Sequence, residues 1–174
     1  LLALMLPAVA QAIGQVIDPA SIRNLRTPGL DLDCVYGDGP EASPHLYHPD
    51  HKGFLLFGNA GNALDLARTK QGVALIGDPR NDENQIVSQL QGAFICLHNI
   101  VMTALESGET GMVHKALGGI SQVAMATFGK GEEPFQVARR ICRLHYQWLV
   151  AHDLLEAFVA TDVLKEARQH LSQG

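Results

Sequence analysis

Arg80 and Glu83 stand three positions apart in the turn Gly77-Asp78-Pro79-Arg80-Asn81-Asp82-Glu83-Asn84, directly ahead of a long apolar-periodic stretch. A guanidinium offers a fixed fork of donors and a carboxylate can accept or bond, so at this spacing the two reach a single ligand at the mouth of a helix. A plainer reading competes with that one. Acidic residues in a first turn are ordinary helix-start residues, and an arginine beside them is usually a solvated neighbour.

A second constellation is Thr27-Pro28-Gly29-Leu30-Asp31-Leu32-Asp33. Side-chain oxygens at 27, 31 and 33, with the backbone carbonyl of Gly29 between them, fall at every second position. In an extended segment these four oxygens share one side and converge on a hard cation such as calcium. Calcium takes about 6 to 8 ligands, so another segment or water has to supply the rest. Taken alone, such a loop reads as a solvated acidic turn. His45, His48 and His51 follow at intervals of three, but Pro49 prevents the regular helix that would stack them, and no metal is expected there. His145 and His152, seven apart, read as core or interhelical histidines rather than ligands.

The elements that must position these groups are mainly helical, with long coil and little β. Residues 1–82 read mostly as coil, because Pro19, Pro28, Gly29, Gly37, Gly39, Pro40, Pro44 and Pro49 crowd the first part. The apolar runs Phe54 to Phe57 and Val73 to Ile76 either pair as a small hairpin or lie against the core. A long helix is predicted over 83–105, its core face drawn by Ile86, Val87, Leu90, Ala93, Phe94, Leu97, Ile100, Val101 and Ala104. Met112 to Phe128 reads as a short or kinked helix weakened by Gly118-Gly119. Pro134 suits the first position of a second long helix over 134–160, with a stripe through Ala138, Ile141, Cys142, Leu144, Trp148, Leu149, Leu155 and Val159. A polar, helix-compatible tail, Lys165 to Gly174, follows.

With 174 residues and 47% apolar content the chain suffices for one domain with a full core. A net charge of -5 without a basic run excludes nucleic acid as the expected partner. Cys34, Cys96 and Cys142 show no CxxC spacing, which signals neither a zinc ribbon nor a disulfide framework. Leu1 to Ala12 resembles the apolar part of a secretory signal, though no basic residue precedes it, and the run is far shorter than the roughly 20 residues of a membrane span. A secreted or periplasmic location fits that reading, and a cytoplasmic one stays open.

Taken together, Ala74 through Asn84, His98-Asn99, His145-Tyr146-Gln147-Trp148 and His152-Asp153 resemble the animal-type haem peroxidase superfamily, most of all its bacterial members. The likeness extends back through Arg26 to Gly37 and to Pro7-Ala8 with Gly14-Gln15-Val16-Ile17-Asp18, in the family's order. It implies part of a helical haem domain that uses hydrogen peroxide to oxidise a small reducing donor. By this resemblance Arg80 matches the distal arginine that stabilises charge on the departing oxygen, and Glu83 matches a carboxylate that esterifies a haem methyl in some members. Asn84 stands where a few mammalian members have a linking Met. Gln15 matches a distal-side Gln near the haem and Asp18 a second linking carboxylate. Thr27, Gly29, Asp31 and Asp33 match the calcium loop. The implied cofactors are haem b, covalently linked or not, and calcium.

The pattern departs after Asp18, where the family has its distal His and this chain has Pro19-Ala20, by replacement or by a short deletion. The proximal His is expected in a helix beyond the one carrying Trp148, and no residue of this sequence matches it. The expectation is therefore a fragment or incomplete member with weak or no activity alone. The alternative is a degenerate, non-catalytic calcium-binding or interaction module prone to self-association.

Overall fold

The computed structural model describes residues 29–107 and 132–171. One helical turn, α1 (Asp33–Tyr36), precedes two 3-10 turns at Pro44–Leu46 and Pro79–Asp82. The frame is α2 (Gln85–Ser107) and α3 (Pro134–Leu149), which pack on each other. α3 runs through a π-helical turn, Val150–Leu154, into α4 (Leu155–Phe158), and α5 (Thr161–Leu171) follows. The protein is mainly α, as composition and periodicity predict. The helix expected over Met112 to Phe128 lies outside the described residues.

Asn84 starts α2. Its side-chain Oδ1 accepts the Val87 amide at 3.0 Å and its carbonyl accepts the Ser88 amide at 3.0 Å, a direct N-cap. The face that α2 buries differs from the predicted one. Gln91, Gly92, Phe94, Ile95, His98, Val101, Met102 and Ala104 are inside, whereas Ile86, Leu90, Ala93 and Ile100 are exposed. Apolar residues occur on two faces of this helix, and the core takes the face on which Gln91 and His98 find hydrogen-bond partners. Counting apolar positions alone discards those two polar residues and so misplaces the stripe.

α2 is also long and apolar enough, at 23 residues and a mean hydropathy of 1.3 over its best window, to cross a membrane. The expectation of no span weighed only the N-terminal run. In the fold, this helix is the one around which the coil and α3 are packed.

Pro134 occupies the first turn of α3, as expected, and Phe135, Val137, Ala138, Ile141 and Cys142 go into the core. The predicted stripe continues less far than drawn, for Leu144, Trp148 and Leu155 are exposed. One extra residue in the π-helical turn rotates everything beyond Leu149 relative to α3. The helix ends at Val159 (φ -107°, ψ 134°), and the polar tail is helical through Leu171.

The coil before α2 is fixed by side chains standing in for a sheet. Asn99 accepts the Leu55 amide and donates to the Leu55 carbonyl, both at 2.9 Å, satisfying that residue as a neighbouring strand would. The runs Phe54 to Phe57 and Val73 to Ile76 do not pair with each other. Leu55 bridges to Tyr47 and Ala74 to Arg68, partners that short turns bring together at lower closure cost. Arg68 then clasps two carboxylates, Asp65 at 2.8 Å and Asp82 at 2.6 Å, tying the 65–74 turn to the segment that carries Arg80.

Candidate functional site

The turn at the mouth of α2 is built around Asp78. Its carboxylate is almost wholly buried and accepts from the Arg80 backbone amide at 3.0 Å, from Nε at 3.1 Å and from Nη2 at 2.6 Å. Pro79 fits the first position of this 3-10 turn because its missing donor is not needed there. The anchored guanidinium remains open to solvent, with 69% of the side chain exposed. Asp78, and beyond it Glu83 and Asp33, hold Arg80 even more firmly in its protonated form than an ordinary arginine. Glu83 is exposed, at the same mouth, and its amide meets the Arg80 carbonyl at 3.4 Å. The two residues singled out by spacing are thus neighbours. The ion pair that sets the arginine's direction, however, is with Asp78, which the sequence reading passed over as a turn former.

Gly77 joins this turn to the acidic loop. Its amide donates to the Cys34 carbonyl at 2.7 Å, and a Cβ there would lie 2.5 Å from the Asp33 carbonyl oxygen, so only glycine lets the two backbones approach. Gln91 of α2 completes the junction: it donates to the Cys34 carbonyl and accepts from Asn81 Nδ2, both at 2.9 Å. Burial, and after it the nearby Asp33 carboxylate, push the Cys34 thiol above its usual range.

The acidic loop is shaped differently from the extended segment the alternation assumed. Leu30 (φ 49°) and Leu32 (φ 59°) are both left-handed, and Asp33 opens α1, so Asp31 and Asp33 do not follow an every-second-residue register. The Gly29 carbonyl, expected to face a cation, accepts the Gln147 side-chain amide of α3 at 2.8 Å. A carbonyl has a second lone pair, so this bond narrows the role of Gly29 without removing it. Among the described residues no group of three or more His, Cys, Asp or Glu side chains is placed to hold a metal ion. Thr27, Gln15 and Asp18 lie outside the described residues, as does Pro19.

Beside Arg80 and Glu83 an apolar face of α2 is uncovered, with Ile86 81% and Leu90 55% exposed. Leu90 also borders an open apolar groove of about 340 Å³, lined further by Phe94, Tyr146, Leu149, Val150 and Leu154. Neither Arg80 nor Glu83 lines it. Of the histidines, His48 Nδ1 accepts the Asp50 amide at 3.2 Å and its ring packs on His51 at 4.6 Å. His152 stacks on Trp148 at 5.0 Å across the π-helical turn.

The most constrained polar group is one that spacing did not flag. His98 is fully buried. Its Nε2 lies 2.9 Å from the Gly53 carbonyl, which can only accept, so Nε2 carries the proton and Nδ1 accepts from the Tyr36 hydroxyl at 3.1 Å. Tyr36 in turn receives the Tyr47 hydroxyl on its carbonyl at 2.8 Å and packs edge-on against Phe135. Burial drives His98 down to about 4, so the imidazole is neutral. Burial also pushes Tyr47 up to about 12 and Cys142 up to about 11. The one sequence signal for His98 was its place beside Asn99 in a quoted motif, because a lone histidine inside an apolar run carries no spacing pattern of its own.

Comparison with protein-family models, with curated proteins and with solved structures returned no match.

Proposed function

We propose that this chain is the central part of a haem peroxidase, carrying its distal arginine, that uses hydrogen peroxide to oxidise small reducing donors. One observation carries the reading. The separate segments on which the resemblance rests meet at one place: the acidic loop, the Arg80 turn and α3 are joined by the Gly77–Cys34 and Gln147–Gly29 hydrogen bonds. Ile86 and Leu90 offer uncovered apolar surface on α2, and the exposed Arg80 guanidinium at the mouth of the same helix would supply a positive charge for a carboxylate-bearing edge. Haem, when bound, would supply the iron at which the peroxide bond is cleaved.

Arg80 contributes a fixed positive charge. Asp78 takes up Nε and Nη2, so the guanidinium is oriented before any ligand arrives and presents its remaining edge without reorganisation. Glu83 is an exposed carboxylate at the same mouth, and by the resemblance it would be the residue that links to a haem methyl. An arginine cannot shuttle a proton at neutral pH as a histidine does, and the histidine of the family pattern is missing after Asp18, by replacement with Pro19 or by a short deletion. General acid-base assistance is worth about 10² to 10⁴ in rate, so slow turnover is the expectation.

The test is addition of hemin to the chain. A Soret band that saturates at one equivalent, with peroxide-dependent oxidation of a phenolic donor that falls about a hundredfold in Arg80→Gln while the band persists, is the expected result. No Soret band would overturn the reading. Cooperative unfolding with a midpoint raised by calcium, in the absence of a haem band, would favour a non-catalytic calcium-binding module instead, which the exposed Ile86 and Leu90 would supply with an association surface.

A further inference from the structure

Six arginines lie among the described residues, and four of them are neutralised. Arg68 is paired with Asp65 and Asp82, Arg80 with Asp78, Arg140 with Glu132 and Arg168 with Glu156. Arg139 and Arg143 are the exceptions. They sit four residues apart on α3, which places them on one helix face, one above the other. Each has a half-buried side chain whose Nε is closed off from water and has no hydrogen-bond partner, and no carboxylate among the described residues pairs with either. Arg139 lies over the Tyr36 ring at 5.6 Å, which holds its guanidinium plane in place. Two like charges at this spacing repel, and partial burial denies them the water that would screen the repulsion. In a chain of net charge -5 an uncompensated cationic pair is the opposite of what surface averaging would leave.

We propose that Arg139 and Arg143 form an oxyanion-binding site that takes a carboxylate or phosphate group between their guanidinium tips. The planar fork matches either anion, and with both Nε groups closed off the outer nitrogens are the approach route. The surface is that of α3 next to Gln147, whose side-chain amide already holds the Gly29 carbonyl, so an anion bound there would also bear on the attachment of the acidic loop. The site does not depend on haem or on Arg80.

Thermal unfolding of the whole chain in increasing inorganic phosphate, and separately in acetate, at ionic strength held constant with chloride, tests this. The expected result is a saturable rise of the midpoint, on the order of 5 °C at a hundredfold excess over the dissociation constant. The rise should be lost in Arg139→Gln/Arg143→Gln and kept in Arg140→Gln, which removes one positive charge from the same helix, as Arg143→Gln does. Arg139 packs on Tyr36, so if the double variant does not fold, Arg143→Gln alone serves, with a binding constant at least tenfold weaker expected. A larger response to phosphate identifies a phosphate-bearing ligand and a larger response to acetate a carboxylate. No saturable rise with either anion, or a rise lost equally in Arg140→Gln, overturns the proposal.

Discussion

His98 and Arg80 are basic side chains on and beside the same helix, and the fold treats them in opposite ways. His98 is placed where no water reaches, has both ring nitrogens occupied, and is kept neutral. Arg80 is kept charged by a buried carboxylate and left open on its other edge. In the first region every polar atom is spent on holding coil against helix. In the second, a buried anchor, Asp78, is spent on orienting a group that has surface to spare. A polar side chain saturated inside a core is part of the scaffold, and one that is held firmly yet left unsaturated is available for a ligand.

The contrast predicts unequal costs. His98→Ala should be the most damaging change, because it takes the donor from the Gly53 carbonyl and the acceptor from the Tyr36 hydroxyl and leaves a cavity beside them. A loss of roughly 4 kcal/mol in urea unfolding is expected, and a loss below about 1 kcal/mol would mean that this node is not structural.

Acid should act on the same node. The folded pKa of about 4 lies below the ordinary 6.5, so between those values the unfolded chain binds a proton that the folded chain refuses. The stability due to neutral His98 is complete above pH 6.5 and is lost as the pH falls toward 4, about 3 kcal/mol in all. His98→Gln should flatten the dependence of unfolding free energy on pH across that window.

Gly77→Ala sharpens the comparison from the other side, since its new Cβ would press on the Asp33 and Cys34 carbonyls and push the acidic loop away from the Arg80 turn. About 2 kcal/mol of destabilisation is expected. Chemical-shift changes should extend from Gly77 to the Asp31 and Asp33 resonances, and changes confined to the substituted turn would break the claimed junction.

Arg80→Gln is expected to lower the unfolding midpoint less than the changes above, because it strips buried Asp78 of its ion pair but leaves that carboxylate the Arg80 backbone amide, while hemin-dependent peroxide turnover falls. A large loss of stability would place Arg80 with His98 in the scaffold.

Much of the chain was legible before folding. Pro134 and the apolar period after it fixed the start of α3, and the Gly-Asp-Pro-Arg turn announced the mouth of α2 because proline geometry and capping chemistry are local. The inward face of α2 was not legible from apolar spacing. Gln91 and His98 are buried because Cys34, Gly53 and Tyr36, all distant in sequence, arrive with complementary donors and acceptors, and Asn81 of the preceding turn adds one more. The loop at Gly29 to Asp33 was misjudged for a related reason. Alternation presumes an extended backbone, and Leu30 and Leu32 take left-handed conformations that place Leu32 in the core.

What the sequence by itself determined is the mainly helical architecture, the two long helices and the nearness of Arg80 and Glu83 at one mouth, since each follows from periodicity, turn chemistry and near-neighbour spacing. Only the tertiary structure decided that Asp78 orients Arg80, that Gly77 brings the acidic loop alongside, and that two of three neighbouring arginines on α3 have no counter-charge among the described residues. Ion pairing and burial depend on which distant segments meet, and a residue's type does not carry that information.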